Sequence, residues 1–298
     1  MKTIKLTMLM MACYSVSFAQ YMNKEILNKK GTPYLIGEIN KEGLQRTAYA
    51  SWFNKNYDEY EVDATAIESF MNDIKEMNIL VFMGTWCGDS KREVPRLYKI
   101  LAEANFPMDQ LKVVAVDNRA DHYKQSPSHE EKGLNIHRVP TIIFYDKGKE
   151  VNRIVERPVN SLEKDISSIL NTDEYTPNYK VVAQLHQLFS RKNMRYLRRK
   201  REKLAARFKD EVANVYELNT YGRVLVTSGK DEKATFVYEL NMELFPEDAI
   251  AHFSLGKIYE ATDQMKALSF YQNAHSLLPD NQKIKQALEK LQAQMSAN

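Results

Sequence analysis

Cysteine is scarce in this 298-residue chain, which has only two, Cys13 and Cys87. Cys13 lies in an apolar N-terminal stretch that we expect to be removed, so the processed chain would hold one thiol. A single thiol cannot form an internal disulfide, and it cannot supply a cysteine-based metal site. The sequence therefore excludes a small fold held together by disulfides, and it leaves Cys87 either buried or in use.

Long apolar runs and a strong charge of either sign are also missing. Beyond the first twenty residues, no apolar run is long enough to span a membrane. The 42 lysines and arginines nearly balance the 39 aspartates and glutamates, so the charge gives no general argument for nucleic acid or an acidic membrane as partner. With 44% hydrophobic and 27% charged residues, the composition is that of a globular protein large enough for two domains.

The start of the chain has the features of a secretion signal. Two lysines precede the apolar run Leu6–Phe18, and small residues occupy the usual positions before a cut after Ala19. We predict a signal peptide over residues 1–19 and an exported protein of the periplasm or cell envelope. A lipid anchor on Cys13 is the less favoured alternative, because the residues before it lack the usual leucine.

Residues 20–62 are predicted as an N-terminal extension. The stretch TPYLIGEI is compatible with a strand, and aromatic side chains follow at loose helical spacing. Aromatic side chains in this pattern are more often part of a core than of a ligand site. We therefore expect this segment to pack on the domain that follows.

Residues 63–172 alternate between strand and helix patterns. Apolar runs predict two buried strands and then a hairpin: ILVFMG, LKVVAVD and PTIIFYDKGKEVNRIVE. Helical spacing follows Asp63, surrounds Pro95, where we expect a kink, and follows Ser161. The first two strands join through a helix and should be parallel, whereas the hairpin strands should be antiparallel. We predict an α/β fold with a mixed central sheet and helices on both faces.

Residues 173–298 show helical periodicity, and part of this region repeats. Two segments share small residues and prolines at intervals of 34, 33 and 33 residues: Gly222 and Gly256, Ala234 and Ala267, Pro246 and Pro279. Each segment is predicted as a helix, a turn, a helix and a closing proline, and the pattern resembles tetratricopeptide repeats. An all-α array of this kind would offer a concave surface for protein segments.

The most specific pattern in the chain surrounds Cys87. The motif TWCGDS follows the first buried strand, a helix containing Pro95 follows the motif, and RVPT stands directly before the hairpin. Together these features resemble the thioredoxin superfamily over about residues 64–170. The strand order predicted from the residues is also the order found in that family.

The resemblance implies a thiol site at the start of a helix. The helix dipole and free backbone N–H groups would stabilise a thiolate at Cys87, which would attack a disulfide to form a mixed disulfide. A cis Pro140 would leave the backbone of Val139 free to pair with an extended client. The predicted catalytic residues are Cys87, Ser90, Trp86 and Pro140, and the predicted substrate-binding residues are Val139, Thr141, Gly88 and Asp89. We expect no cofactor and no metal, and we expect protein clients at this groove and at the helical-repeat surface.

Three positions depart from the family pattern. Ser90 stands where the family has the second cysteine that expels the substrate, and a hydroxyl cannot resolve a mixed disulfide at ordinary pH. Val81 stands where many members have a buried acid. Asp89 replaces a common proline, and its negative charge would destabilise the neighbouring thiolate.

Three interpretations of Cys87 stay open at this point. It is a single thiol that forms mixed disulfides and relies on an outside thiol for release, or its groove binds partners without chemistry. The third interpretation is a redox sensor or a tether to a partner. The sequence alone does not choose among them.

Histidines and a basic run complete the candidates. His137 lies three residues before Pro140, where it is either a charge partner for the thiolate or a surface histidine without a role. His122 and His129 share a polar loop with several carboxylates, but their spacing matches no known metal-ligand pattern. The basic run Arg191–Arg207 is predicted to be a solvated helix face that docks an acidic partner, because it lacks the interleaved aromatics of a nucleic-acid site.

Overall fold

The computed structural model describes residues 22–172 and 174–297. The predicted signal peptide and Cys13 lie outside the described residues. The chain divides into two compact units, one ending at Asn178 and one beginning at Tyr179. None of the described helices is both long enough and apolar enough to cross a membrane.

The first unit combines six strands with five α-helices among its described residues. The strands are β1 (Lys24–Leu27), β2 (Pro33–Ile39), β3 (Asn78–Met83), β4 (Leu111–Ala115), β5 (Thr141–Asp146) and β6 (Lys149–Val155). The helices are α1 (Lys41–Leu44), α2 (Thr47–Asp58), α3 (Ala64–Glu68), α4 (Gly88–Glu103) and α5 (Leu162–Asn171).

The strands form one sheet in the order β1-β2-β4-β3-β5-β6. Only β3 and β4 pair in parallel, and the other neighbours are antiparallel. The parallel pair is joined through α4, as βαβ geometry requires. The predicted α/β fold with a mixed central sheet is confirmed, and so are the parallel pair and the antiparallel hairpin.

The two faces of the sheet are covered differently, and the expectation of helices on both faces is wrong. Buried side chains of α2, α3, α4 and α5 pack in one cluster with side chains of one sheet face, such as Val81 and Met83. The opposite face, which includes Phe82 and Val114, packs against Ile136 and Val139 of the segment between β4 and β5. That segment is too polar to present an apolar helical stripe, so single apolar residues of the loop cover this face instead.

The segment predicted as an N-terminal extension supplies part of the sheet and of its core. β2 pairs with β4, and β1 pairs with β2 at the edge of the sheet. Phe53 of α2 is fully buried and lies 5.8 Å, between ring centroids, from Tyr98 of α4. Tyr49 and Phe53 are therefore core residues, and the partly buried rings of Trp52, Tyr57 and Tyr60 pack against the same core, as the pattern indicates.

The helix predicted after Asp63 is shorter than expected. Asp63 does cap it, since its carboxylate accepts a hydrogen bond from the Ala66 N–H at 3.0 Å. However, α3 ends at Glu68, and only a 3₁₀ turn follows at Asp73–Glu76. The Ser69 hydroxyl donates to the Ala66 carbonyl at 2.6 Å, and such a local bond competes with helix continuation.

The second unit is entirely helical within its described residues. Its helices are α6 (Lys180–Arg191), α7 (Met194–Arg199), α8 (Arg201–Phe208), α9 (Val215–Thr227), α10 (Asp231–Leu244), α11 (Ala249–Tyr259), α12 (Gln264–Leu277) and α13 (Gln282–Ser296). The predicted helical character of this region is confirmed. The basic run falls on α7 and α8, where Arg201 forms ion pairs with Glu239 and Glu243 of α10.

Two glycines allow the same close contact in two helix pairs. A Cβ atom at Gly222 of α9 would lie 2.5 Å from the ring of Tyr238 in α10. A Cβ atom at Gly256 of α11 would lie 2.4 Å from the ring of Tyr271 in α12. Because both rings are buried, neither can swing away, and each glycine is needed for its pair to pack at this distance.

We expect Gly256→Ala to destabilise the helical unit by about 1–3 kcal/mol, because the added methyl group overlaps the buried Tyr271 ring. At an uncrowded helix position the same change would stabilise by about 1 kcal/mol, so the two effects have opposite signs. Urea unfolding followed by far-UV circular dichroism measures the difference. Ser276→Ala at an exposed site of α12 is the control, and adding Tyr271→Leu should recover part of the loss. A stabilised Gly256→Ala variant would contradict the contact.

Candidate functional site

Cys87 is the residue immediately before α4 and forms its N-cap. Its backbone is extended, with φ −94° and ψ 129°, while its carbonyl already accepts the Lys91 N–H of the first helical turn at 3.0 Å. The chain reaches this position from β3 through a tight turn, in which the Cys87 N–H donates to the Gly84 carbonyl at 2.9 Å. The half-buried thiol therefore lies at the positive end of a sixteen-residue helix, where a thiolate is stabilised.

The residues before β5 lie against the thiol. The Sγ atom of Cys87 donates a hydrogen bond to the Val139 carbonyl at 3.2 Å, and the Val139–Pro140 peptide bond is cis. The side chains of Val139 and Pro140 are buried, so these two residues present their backbone to the thiol. Thr141 is also buried, and its hydroxyl donates to the Arg138 carbonyl at 2.7 Å. The structure thus places Val139 and Pro140 beside Cys87, and the Thr141 hydroxyl closes the turn that contains them.

Ser90 lies in the first turn of α4, three residues after Cys87. Its side chain is fully buried, and its oxygen accepts the Gly84 N–H at 3.1 Å. The hydroxyl therefore ties α4 to the start of the turn that leads to Cys87. Gly88, in contrast, is exposed, and a Cβ atom built there would have no neighbour within 4 Å. The approach to the thiol is accordingly open at Gly88 and closed at Ser90.

The charge of Asp89 is compensated, which the sequence prediction did not include. The Asp89 carboxylate lies 2.7 Å from the Arg92 guanidinium, which also contacts buried Glu93 at 2.6 Å. Both groups of the Asp89–Arg92 pair are about two-fifths exposed, so solvent screens their interaction. The i,i+3 spacing of these residues was a sequence signal that could have identified the pair.

Trp86 is fixed on three sides next to Cys87. Its indole N–H donates to the Val116 carbonyl at 2.9 Å, and its ring lies so close to Gly84 that a Cβ atom there would be 2.5 Å away. The ammonium group of Lys124 lies 5.6 Å from the ring centroid, within the range of a cation–π interaction. Lys124 is itself buried, and nothing in the sequence pattern of its polar loop indicated this position.

Val81 stands where many members of the resembled family have a buried acid, so this position carries no carboxylate. Its side chain is fully buried in the apolar cluster on the helix-covered face of the sheet. The neighbours of Val81 across the two adjacent strands are Val113 and Ile142. Val81 and these two strand neighbours accordingly offer no proton acceptor for a second thiol.

His137 matches neither interpretation of the sequence, because it is buried and uncharged. It is 5% exposed, and its Nδ1 atom lies 3.2 Å from the Asn135 carbonyl. Burial, together with the nearby cation of Arg138, lowers the pKa of His137 from 6.5 to about 3. A neutral imidazole cannot stabilise a thiolate by charge, so the expected charge partner and the expected surface location are both wrong.

The remaining loop residues do not form a metal-ligand group. Asp117 is buried and binds Tyr34 and Arg119, while Glu130 and Glu131 both contact the Ser126 hydroxyl at 2.6 Å. Among the residues that the structure describes, no three histidine, cysteine or carboxylate side chains converge in a way that could hold a metal ion.

The lowered pKa of His137 predicts a loss of stability in acid. In the unfolded chain the His137 imidazole binds a proton near pH 6.5, whereas in the folded chain it stays neutral down to about pH 3. Between these pH values the unfolded chain binds more protons, so acid favours unfolding. Above about pH 6.5 the imidazole is neutral in both states and does not change the free energy of unfolding. Below that pH the free energy of unfolding decreases by up to about 1.4 kcal/mol per pH unit. His137→Asn should flatten the dependence of the unfolding free energy on pH between these values.

Urea unfolding followed by tryptophan fluorescence measures this effect, since both tryptophans, Trp52 and Trp86, lie in the first unit. His129→Asn is the matched control, because the His129 side chain is 60% exposed. Equal slopes for the wild-type protein and His137→Asn would contradict a buried, neutral imidazole.

Comparison with known proteins agrees with this geometry. A family model described as Thioredoxin matches residues 41–166. The chain is also similar to Thioredoxin H2 of Arabidopsis thaliana, with 30% identity over 101 residues that cover 33% of this chain and 68% of the relative. The matched region contains α4, Cys87 and Pro140, and it ends before the helical unit. The first unit is thioredoxin-like, and the chain belongs to the thioredoxin family.

Proposed function

We propose that this protein performs thiol–disulfide exchange with Cys87 as its nucleophile and forms mixed disulfides with protein clients or small thiols. The observation that carries the proposal is the position of the thiol. Cys87 is half-buried at the N-terminus of α4, and its sulfur lies 3.2 Å from the Val139 carbonyl beside cis Pro140. A thiolate is stabilised at a helix N-terminus, and an adjacent backbone carbonyl can bind an extended client.

The proposed step is a displacement at sulfur. The Cys87 thiolate attacks one sulfur of a client disulfide, a new S–S bond forms, and the old S–S bond breaks. The departing sulfur leaves with the electron pair and takes up a proton, so the client gains a thiol while Cys87 becomes part of a mixed disulfide. The atoms and electrons balance without a cofactor.

The Val139 carbonyl links ionisation of the thiol to client binding. Cys87 can donate to this carbonyl only while the sulfur carries its proton. After deprotonation the carbonyl oxygen is free to accept an N–H from an extended client chain, as in strand addition. Gly88 leaves the approach open, so the client would lie between the start of α4 and the turn before β5.

Release of the client would require an outside thiol. Ser90 occupies the resolving position, and its oxygen is already bonded to the Gly84 N–H. Val81 offers no proton acceptor. We therefore propose a single-cysteine variant of the thioredoxin site, in which a second molecule with a thiol attacks the mixed disulfide and returns Cys87 to the reduced state.

Ser90→Cys is expected to convert this site into one that resolves its own mixed disulfide. The new sulfur would lie one helical turn from Cys87 and could displace the client, leaving a disulfide between residues 87 and 90. Mixed disulfides prepared with a purified client peptide should then disappear at least about tenfold faster without added thiol, in a quenched-flow assay read by mass spectrometry.

The matched control is Ser276→Cys, which adds a thiol at an exposed site of α12 and should not change the rate. If Ser90→Cys resolved no faster than this control, the proposed place of residue 90 in the reaction would be wrong.

The second candidate function is a non-catalytic binding module. The specific observation in its favour is the apolar environment of Val81 together with the buried Ser90, since both parts of the resolving half of the site are missing. In that case the groove would bind partners without covalent chemistry.

Capture of partners from a cell extract separates the two functions. An exchange protein should retain partners that a reductant releases, and Cys87→Ala should retain none of these. A binding module should retain the same partners with or without reductant, and equally in Cys87→Ala. The second result would overturn the exchange function.

We further propose that the helical unit is a tetratricopeptide-like array that binds protein segments. Support comes from its two helix pairs, α9–α10 and α11–α12, which share the contact between a glycine and a tyrosine ring. An array of this kind presents an extended surface for a partner chain. Clients would then reach Cys87 while the helical unit binds them or a second protein.

We also propose that the protein is exported to the periplasm or cell envelope. The support is the lysine-led apolar run that ends at Ala19, which has the composition of a cleaved signal. A mature chain that begins at Gln20 is the expected result of N-terminal sequencing, and a chain retaining residues 1–19 would contradict cleavage there.

A further inference from the structure

A cavity separate from the thiol site lies between the β1–β2 hairpin and the segment that follows β4. Its volume is about 250 Å³, smaller than the roughly 300–1,000 Å³ of pockets for drug-sized ligands. Apolar side chains of Ile26, Ile36 and Pro127 line one part of it. Cys87 and the residues around it are not among its lining residues.

Polar side chains line the rest of this cavity, which we call the hairpin cavity, and four of them carry cationic or imidazole groups. Lys24 comes from β1, Arg119 follows β4, and His122 and His129 come from the loop. We propose that the hairpin cavity binds a small organic anion, a carboxylate with a compact apolar body. The apolar residues would contact the body, and Lys24 and Arg119 would bind the carboxylate.

Asp117 does not cancel this preference for an anion, because its carboxylate is fully occupied. One oxygen accepts from the Tyr34 hydroxyl at 2.7 Å and from the Arg119 backbone N–H at 2.8 Å. The other oxygen accepts from the Arg119 Nε and Nη2 atoms at 2.8 and 2.6 Å. Burial acts to raise the pKa of Asp117, but the hydrogen bonds from Arg119 and Tyr34 outweigh it and lower the pKa. The group is thus an ionised, buried anchor for Arg119.

The same pair orients Arg119 for a ligand. The bidentate contact holds the plane of the guanidinium group and leaves its third nitrogen, Nη1, outside the pair. About half of the Arg119 side chain is exposed, so a ligand can reach it. A fixed guanidinium loses little conformational entropy on binding a carboxylate, which favours affinity.

Lys24 is the second cation that lines the hairpin cavity, and two nearby carboxylates, those of Glu130 and Glu131, already accept a hydrogen bond from the lining residue Ser126. Lys24 forms no salt bridge with any residue in the described ranges 22–172 and 174–297. His122 lies 4.0 Å from Asp121, and His129 lies 3.1 Å from Glu131, so both imidazoles contribute polar ring nitrogens beside a carboxylate. An anion entering the cavity therefore meets one paired and one unpaired cation.

The test compares three probes on the purified full-length chain in a chloride buffer: sodium benzoate, sodium acetate and benzyl alcohol. Isothermal titration calorimetry gives the affinity, and amide chemical-shift changes locate the site. Benzoate should bind with shifts around Lys24 and Arg119, while acetate, which lacks the apolar body, and benzyl alcohol, which lacks the charge, should each bind at least about tenfold more weakly.

Two charge-reversal variants make the test specific. Lys24→Glu should weaken benzoate binding by about tenfold or more, because a charge-assisted contact is replaced by repulsion. Lys30→Glu, an identical change at an exposed position of the hairpin turn, should leave binding unchanged. Cys87→Ala should also bind benzoate normally, so the result does not depend on the thiol chemistry.

Three outcomes would overturn the proposal. The first is no binding at about 10 mM benzoate, where a site with a Kd of about 1 mM would be nearly filled. The second is a set of shifts that lie away from the hairpin cavity. The third is equal weakening by Lys24→Glu and Lys30→Glu, which would reflect the overall charge of the protein and not this cavity.

Discussion

The antiparallel register between β3 and β5 determines the geometry of the thiol site. Phe82, near the end of β3, pairs with Thr141, the first residue of β5. Antiparallel pairing brings the end of one strand to the start of the other, so the turn after β3 and the turn before β5 lie side by side at the same end of the two strands. Cys87 leaves the first turn and Val139 enters the second, and their contact at 3.2 Å follows from this register. A shift of one residue would reverse the side-chain faces of β5 and separate the two turns.

The first unit has a polar loop between β4 and β5 and still covers both faces of its sheet. Helices cover only one face of the sheet, and the loop between β4 and β5 covers the other with a few apolar residues such as Ile136 and Val139. Polar side chains of that loop are then available for other contacts. Lys124 lies over Trp86, and Asp117 binds Tyr34 and Arg119. This loop, whose only helical part among the described residues is the 3₁₀ turn Ala120–His122, therefore contributes to both the thiol site and the hairpin cavity.

Sequence reasoning identified the parts of the fold whose physical signal is local. β3, β4 and β5 are buried apolar runs, and Asp63 and Ser161 each precede a helix, where their side chains accept a hydrogen bond from the backbone N–H three residues later. β1 was missed, because it is a short edge strand that is mostly exposed and reads as polar. The burial of His137 and Lys124 was missed for another reason. Both lie in an aperiodic loop, and only the tertiary fold decides which of its side chains point inward.

The buried hydroxyl of Ser90 has a kinetic consequence for the proposed exchange reaction. A second cysteine at this position would make client release a property of the protein, with a rate independent of its surroundings. With an oxygen there, bonded to the Gly84 N–H and closed to solvent, release is bimolecular and its rate scales with the concentration of outside thiol. The lifetime of the covalent complex would then report the thiol supply of the compartment, long where thiols are rare and short where they are abundant.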